Sequence, residues 1–383
     1  MRKPQLTMSL LSAYSKALYE LRFSPMCKPA AEVAGVTKLE SHSTRARVML
    51  MWRVVSGFAK WGPREVELIY QSTLDSISEA YDPFHYPVSE LMLAARGDIW
   101  EAGLAPEVVR QAIDKGSKWV EPAKPPASET LVLGGEISQL GQESHGACIT
   151  KALQSQGIQG EMWVVPTGAL AYALGARDVA VGQARRIVNG LFEAKVTTVV
   201  ADGPETVWAL QKIYPTLGVA LPDQVKVKLY SELLNGPQSK PSSKLGRVLV
   251  HDSRPACLIA DRMPNHLAIL PGYHDNEEAF GAGRVYDAPR HLIDAYGGQR
   301  VFTTWTRGLS RSSGSDDGLW LTYPDLAREL AVARLAEAEQ AGAELIVTDS
   351  PLAANILHEN RNTQRVQAKC LAEIVANDSH TSR

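Results

Sequence analysis

Cysteine is scarce in this sequence, and the little there is lies scattered. Cys27, Cys148, Cys257 and Cys370 are the four thiols in 383 residues. Consecutive ones stand more than about 100 positions apart, so no CxxC pair exists, whereas zinc and iron–sulfur sites draw thiolates from short-spaced pairs that one turn presents together. Four isolated thiols in so long a chain point to a reducing compartment. A charge excess is missing too: 40 Lys and Arg face 42 Asp and Glu, for a net charge of -2. No basic stripe of the nucleic-acid-binding kind breaks that balance. No apolar run approaches the ~18 residues of a membrane-spanning helix. The opening MRKPQLTMSLLSAYSKALYEL lacks an apolar core followed by a cleavage site, so no signal peptide is expected. HExxH, GxSxG, P-loop and paired-carboxylate signatures are likewise absent. The glycine turns GGEISQLG (134–141) and FGAGR (280–284) lack the GxGxxG order of a dinucleotide site.

What is present is the composition of an ordinary globular protein, 45% hydrophobic and 21% charged, with length enough for two or three domains. Prolines in EPAKPPASET (121–130) and NGPQSKPSSKLG (235–246) disfavour helix and ladder alike and mark linkers. The expected division is a helical region over 1–120, α/β domains over 131–234 and 247–360, and a polar tail over 361–383. In the first third, RARVMLMWRVVSGF (45–58) and REVELIYQSTLDSISEAY (64–81) carry helical apolar spacing. SELMLAARGDIWEAG (89–103) ends on a helix-stopping glycine. Helices 43–58 and 64–80 hold several large apolar residues that suggest a partner surface.

The last two domains contain an internal repeat. Residues 178–210 and 325–357 superpose without a gap. Each gives a long alanine-containing helix, then a short strand (VTTVVA or ELIVT) ending at Asp202 or Asp349. Gly203-Pro204 or Ser350-Pro351 then opens another helix. Proline suits the first helical position, whose N–H would be unpaired anyway, and the residue before it can cap. Two such units imply duplicated, pseudo-symmetric domains, and the strand-to-helix turn is where an anion or cofactor binds in α/β folds.

These residues resemble the cysteine-rich "CCG" domain proteins: heterodisulfide reductase subunits, the glycolate oxidase iron–sulfur subunit, lactate-utilisation proteins and the third subunit of anaerobic glycerol-3-phosphate dehydrogenase. The resemblance rests on HDSR (251–254), YDAPR (286–290) and YPDLARELAVARLAEAEQAGAELIVTDSP (323–351) in the last domain. In the middle domain it rests on ADGPETVWALQKIYP (201–215). In the first third it rests on SPMC (24–27), STRARVML (43–50) and LAARGDIWEAGLAP (93–106). It implies two CCG-type α/β domains behind a ferredoxin-like segment, and electron transfer through cysteine-held clusters.

Position by position, the implied ligands are gone. His-Asp-Pro-Cys reads His251-Asp252-Ser253-Arg254, Cys-Cys-Gly reads Ser312-Ser313-Gly314, and Cys-Pro-x-Cys reads Ser350-Pro351-Leu352-Ala353. In the middle domain, Gly-Cys becomes Gly135-Glu136 and Cys-Pro-x-Cys becomes Gly203-Pro204-Glu205-Thr206. Its Cys-Cys-Gly falls loosely on Val164-Val165-Pro166. Cys-Pro-Met-Cys reads Ser24-Pro25-Met26-Cys27, and the second cluster run is SISEAYDPFHYPV (76–88), without cysteine. Only Cys27 keeps a thiol, and one thiolate holds no cubane. No iron–sulfur cofactor is therefore expected, and the ferredoxin-like segment is degenerate.

Several readings stay open on the sequence. Cys27 is a reactive thiol or an inert buried one. Cys257 substitutes for Arg254 as a ligand or is unrelated to it. His251-Asp252 forms a dyad or, since neighbouring strand residues face opposite ways, a structural hydrogen bond at a strand end. Arg254, Ser312, Ser313 and Ser350 form an anion pocket for a phosphate or carboxylate, or fill the vacated cavity. The expected function is a cluster-free, non-catalytic scaffold or regulatory subunit of an oxidoreductase complex. Its partners would be protein subunits such as a flavin-dependent 2-hydroxy-acid oxidase or a cluster-bearing paralogue. The expected location is the cytoplasm, or peripheral to a membrane through that complex. The alternatives are a small-anion-binding protein or enzyme reusing the pocket, and an electron-transfer subunit with unusual iron–sulfur ligands.

Overall fold

The repeated segments fold as helix, strand and helix at matching positions in the computed structural model, which describes residues 9–119, 124–141, 145–237, 244–260, 280–361 and 365–378. The first sheet contains β1 (Thr130–Gly134), β2 (Glu161–Val164), β3 (Thr198–Ala201) and β4 (Lys226–Leu229); the second contains β5 (Arg247–Val250), β6 (Gln299–Arg300), β7 (Leu345–Thr348) and β8 (Gln367–Cys370). All pairings are parallel, and the strand orders are β2-β1-β3-β4 and β6-β5-β7-β8. Val132 lies opposite Met162 and Val200, and Leu249 opposite Ile346. Central strands with both faces covered are apolar throughout, which is why VVA and LIV read as continuous runs rather than alternating ones.

Helices of the same rank follow the same strands. In the first half these are α8 (Glu136–Gly141), α9 (His145–Ser155), α10 (Ala169–Ala173), α11 (Arg177–Glu193) and α12 (Pro204–Trp208), the last running through a π-helical turn into α13 (Tyr214–Thr216). In the second they are α14 (Arg254–Ile259), α15 (Arg284–Ala295), α16 (Leu319–Thr322), α17 (Pro324–Gln340), α18 (Pro351–Glu359) and, after β8, α19 (Leu371–Asp378). Contacts between the halves are exchanged: α12 packs on α14 while α18 packs on α8, and α9 packs on α19 while α15 packs on the turn Tyr230–Leu233.

The first third is helical: α1 (Ser15–Leu21), α2 (Glu32–Thr37), α3 (Thr44–Val55), α4 (Pro63–Tyr70), α5 (Ser76–Tyr81), α6 (Val88–Glu101) and α7 (Glu107–Lys118). These helices sit directly on the sheet domains. The Tyr70 hydroxyl donates to the Leu174 carbonyl at 3.1 Å, and the buried Arg96 guanidinium donates to the carbonyls of Ala173 at 2.7 Å and Ser72 at 2.9 Å. One apolar core runs through all three regions.

Several boundaries differ from expectation. The segment read as one helix over 64–81 is two, broken at Leu74 and Asp75, which adopt positive φ of 53° and 52°. The break turns the Asp75 carboxylate towards Arg47 at 3.1 Å and the Thr44 hydroxyl at 3.2 Å. The apolar faces of helices 43–58 and 64–80 are spent inside the molecule: Val48, Met51, Val66, Ile69 and Tyr70 are buried, and Phe58 is exposed. Within the expected polar tail over 361–383, Gln367–Cys370 completes the second sheet and Leu371, Ala372 and Val375 are buried. Thr130, assigned to the first linker, already pairs with Thr198 in β1. Of the linkers, 121–123 and 238–243 lie outside the described residues, as do 142–144 and 379–383. Among the described residues no helix is long and apolar enough to cross a membrane.

Candidate functional site

In a parallel sheet of this order, the crevice lies beyond the carboxyl ends of β1 and β3, or of β5 and β7, where successive connections leave in opposite directions. The residues after those strands are Gly135-Glu136, Asp202-Gly203, His251 to Arg254 and Asp349-Ser350. Glu136, Gly203, Thr206, Arg254, Ser350 and Ala353, which the resemblance singled out, thus lie in or just after turns at the two switch points.

The first switch point is closed by its own side chains. The Asp202 carboxylate accepts from the Gly135 amide at 3.1 Å and the Thr206 hydroxyl at 2.7 Å, and burial pushes it up to about 7. The Glu136 carboxylate accepts from Thr167 through its amide at 2.6 Å and its hydroxyl at 2.8 Å, and from the Leu170 amide at 3.1 Å. It holds the turn after β2, where Val165 and Pro166 follow the strand-end Val164. Gly203 is small for a reason: a Cβ there would meet Glu205 Oε2 at 2.7 Å and Ser138 Oγ at 3.2 Å. A cysteine at 203 and the present Glu205 compete for one space.

At the second switch point, Arg254 opens α14 and is buried. Its guanidinium donates to Glu32 Oε1 at 2.7 Å and to the Ser76 hydroxyl at 2.7 Å. Glu32, carried by α2, also accepts from the Ser312 amide at 2.7 Å and the Thr73 hydroxyl at 2.6 Å. Burial pushes the Glu32 carboxyl up, opposed chiefly by Arg254. Burial also works against the Arg254 charge, but Glu32 and Asp316 outweigh it and hold the guanidinium protonated. Ser313 shares a hydrogen bond with Ser315 at 2.8 Å, and the Gly314 amide donates to Ser312 Oγ at 2.9 Å. Ser350 caps α18 through the Ala353 amide at 3.3 Å and donates across the interface to Glu205, whose carboxyl burial pushes up to about 7.

The four residues of the expected anion pocket are thus divided. Arg254 and Ser312 do meet, but around the chain's own carboxylate, Glu32. Ser313 turns to Ser315, and Ser350 serves a separate contact with Glu205. Two further carboxylates, Asp316 and Asp317, are buried beside Arg254, and both oxygens of Asp316 lack a hydrogen-bond partner among the described residues. Burial and the neighbouring Asp316 push Asp317 up to about 8. A negatively charged ligand would meet an acidic surround with its cation already engaged.

The remaining motif residues are structural in their contacts. Asp252 is joined to Arg290 by two hydrogen bonds of 2.8 Å and accepts from the Arg307 amide at 2.7 Å, so HDSR and YDAPR lock together. Burial opposes its charge, but Arg290 and Arg307 keep the Asp252 carboxyl below the usual range. The strand-end side-chain hydrogen bonds are those of Asp252: among the described residues both ring nitrogens of His251 lack partners, and burial holds its imidazole down at about 3. Burial pushes the Cys27 thiol up to about 11 and the Cys257 thiol up to about 12, the latter donating to the Arg307 carbonyl at 3.2 Å. Neither thiol is a nucleophile near neutrality. Ser24 donates to Asp82 at 3.1 Å and pins the SPMC loop. Among the described residues, no three His, Cys, Asp or Glu side chains converge in a metal-binding arrangement. Glu32 and Glu205 carried no sequence signal; Glu32 stands 222 positions from Arg254 in a segment without a motif.

No protein-family model matches the chain, and no curated protein does. Among solved structures, three chains match. One is a crystal structure of a hypothetical protein from Helicobacter pylori, at 8% identity and a TM-score of 0.55, covering 96% of this chain and 76% of that one. The chain is thereby similar in fold, over nearly its whole length, to that Helicobacter pylori protein.

Proposed function

We propose that this chain is a cluster-free member of the CCG-domain architecture: a duplicated pair of α/β domains behind a helical, degenerate ferredoxin-like region. It acts as a non-catalytic scaffold or regulatory subunit of an electron-transfer complex. The observation that carries the reading is the buried Arg254–Glu32 pair, which sits where the resemblance puts a cluster ligand. An arginine that receives a carboxylate from the N-terminal helices ties those helices to the second sheet domain, the mechanical task the resemblance assigns to a cluster between domains. The Ser350–Glu205 contact does the same between the two sheet domains. Equal strand orders and exchanged helix contacts support duplication.

A scaffold needs a surface for its partner. Tyr19, Phe23 and Phe58 are exposed at 59%, 66% and 71%. The Arg22 guanidinium stacks over the Tyr19, Phe23 and Trp52 rings within 4.5 Å of each centroid. Exposed aromatic rings clustered on a surface, here backed by the buried Arg22, are the composition of interface anchors. The partner proposed is a flavin-dependent 2-hydroxy-acid oxidase subunit or a cluster-bearing paralogue, in the cytoplasm or held at a membrane through the complex. Affinity purification from the native cells tests this. A flavin- or iron-bearing subunit should co-elute in stoichiometric amount and be lost with Phe23→Ser and Phe58→Ser, and a strictly monomeric native protein contradicts it.

A further inference from the structure

A groove of about 680 Å³ runs between the start of α4, the loop joining α6 to α7, and Tyr323 at the junction of α16 and α17. Trp61, Pro63, Leu104, Pro106, Val108 and Tyr323 form most of its wall, and Leu104 and Val108 are 46% and 41% exposed. Large apolar side chains left open around a concavity mark a surface that an occupant covers. The charges of the wall cancel, since Arg64 pairs with Glu67 at 2.6 Å. The other Glu67 oxygen accepts from the Gln71 side chain at 3.2 Å. The carbonyls of Gly62 and Pro106 accept from the Val66 and Val109 amides, each at 3.0 Å. These acceptors are engaged, whereas two donors are not: the Trp61 indole N–H and the Tyr323 hydroxyl make no hydrogen bond among the described residues. Burial, with Glu67 adding to it, pushes the Tyr323 phenol up to about 12, so it remains protonated near neutrality.

We propose that this groove takes a proline-rich segment of a partner protein in the polyproline II conformation, its prolyl rings against Trp61, Leu104 and Tyr323 and its carbonyls accepting from the Trp61 N–H and the Tyr323 hydroxyl. The hydrogen-bonding character of the wall selects this occupant. A helix uses its carbonyls internally and would cover both donors without serving them, which carries the penalty of an unmet buried group. An ordinary extended strand presents as many N–H groups as carbonyls and would add donors to a wall that already has two to spare. A proline-rich chain presents carbonyls with few N–H groups, and its rings carry no charge into a wall whose own charges cancel. It also holds its extended shape before binding, and grooves lined by aromatic rings exploit that. Pro63 and Pro106 extend the apolar wall without adding backbone donors of their own. This inference goes beyond the scaffold reading and stands independently of it.

The test is titration of fluorescein-labelled decaproline with the full chain, read by fluorescence anisotropy, beside a Gly-Ser decapeptide and an alanine-rich helical peptide carrying the same label. Saturable binding of decaproline alone is expected. Trp61→Phe and Tyr323→Phe, which keep a ring and remove one donor each, should weaken it by about fivefold apiece, the worth of one neutral hydrogen bond. Leu104→Glu, on the exposed rim, should abolish it while leaving the thermal midpoint of the protein unchanged. Equal or tighter binding of either control peptide, full affinity in both ring variants, binding that survives Leu104→Glu, or no saturation at millimolar protein overturns the proposal.

Discussion

A carboxylate supplied by α2 occupies the position in front of Arg254, and the energetics of that pair are those of a buried ion pair. Removing one partner leaves a charge without solvent or counter-ion, which costs about 3–5 kcal/mol. Arg254→Met should accordingly lower the stability by about that much in urea-induced unfolding, and Glu32→Gln by a similar amount. The double variant should recover much of the loss, because it strands no charge; additive losses would contradict the pairing. The pH dependence follows from other buried carboxyls. Asp202, Glu205 and Asp349 each bind a proton more tightly when folded, burial raising each to about 7. Their contribution is complete below the unfolded carboxyl range near 4 and is lost as pH rises through 7. Asp252, held low, acts in the opposite sense and only at acid pH. The midpoint of thermal unfolding should therefore fall between pH 6 and pH 8, and Asp202→Asn should flatten that slope; a midpoint that rises over this interval contradicts the assignment. At this scale the sequence disclosed the cation and the serines but not what they hold. Arg254 and Glu32 come together only through tertiary packing, and no spacing rule reaches across 222 positions.

At the level of elements, Gly314 in Ser312-Ser313-Gly314 has a packing role of its own. Its φ is +82°, and a Cβ there would collide with the backbone carbonyl of Ala327 in the first turn of α17. Gly314→Ala should cost at least about 2 kcal/mol, from the left-handed backbone and the clash together, and a neutral result in urea unfolding contradicts the placement. The last strand and helix bear on stability in the same way. β8 is hydrogen-bonded to β7, and α19 packs on α9 of the other half, so truncation after Glu359 exposes apolar core and should give aggregated protein rather than a trimmed domain. Soluble, cooperatively folding truncated protein would contradict this. The long helices and the strands VVA and LIV were legible because their patterns repeat in register. β8 was not, since QAKC is too short and too polar to announce a strand. The break at Leu74 and Asp75 was equally hidden, being dictated by the distant Arg47 and Thr44.

In the whole molecule, three regions meet around two switch points lined by the protein's own polar side chains. The N-terminal helices meet the second sheet domain through Arg254 and Glu32, and the two sheet domains meet through Ser350 and Glu205. The outline of an α/β protein with two parallel sheets was readable from the repeat over 178–210 and 325–357. Which helix of one half seats on which helix of the other was not, because such contacts leave no periodicity in the chain. The claim that these side chains do the mechanical work of absent clusters is tested most directly by anaerobic purification from the native host, with iron and acid-labile sulfide measured per chain alongside the visible spectrum. The account predicts colourless protein with substoichiometric iron that keeps its fold after chelation; a brown protein with stoichiometric iron and sulfide, unfolding when they are removed, would contradict it.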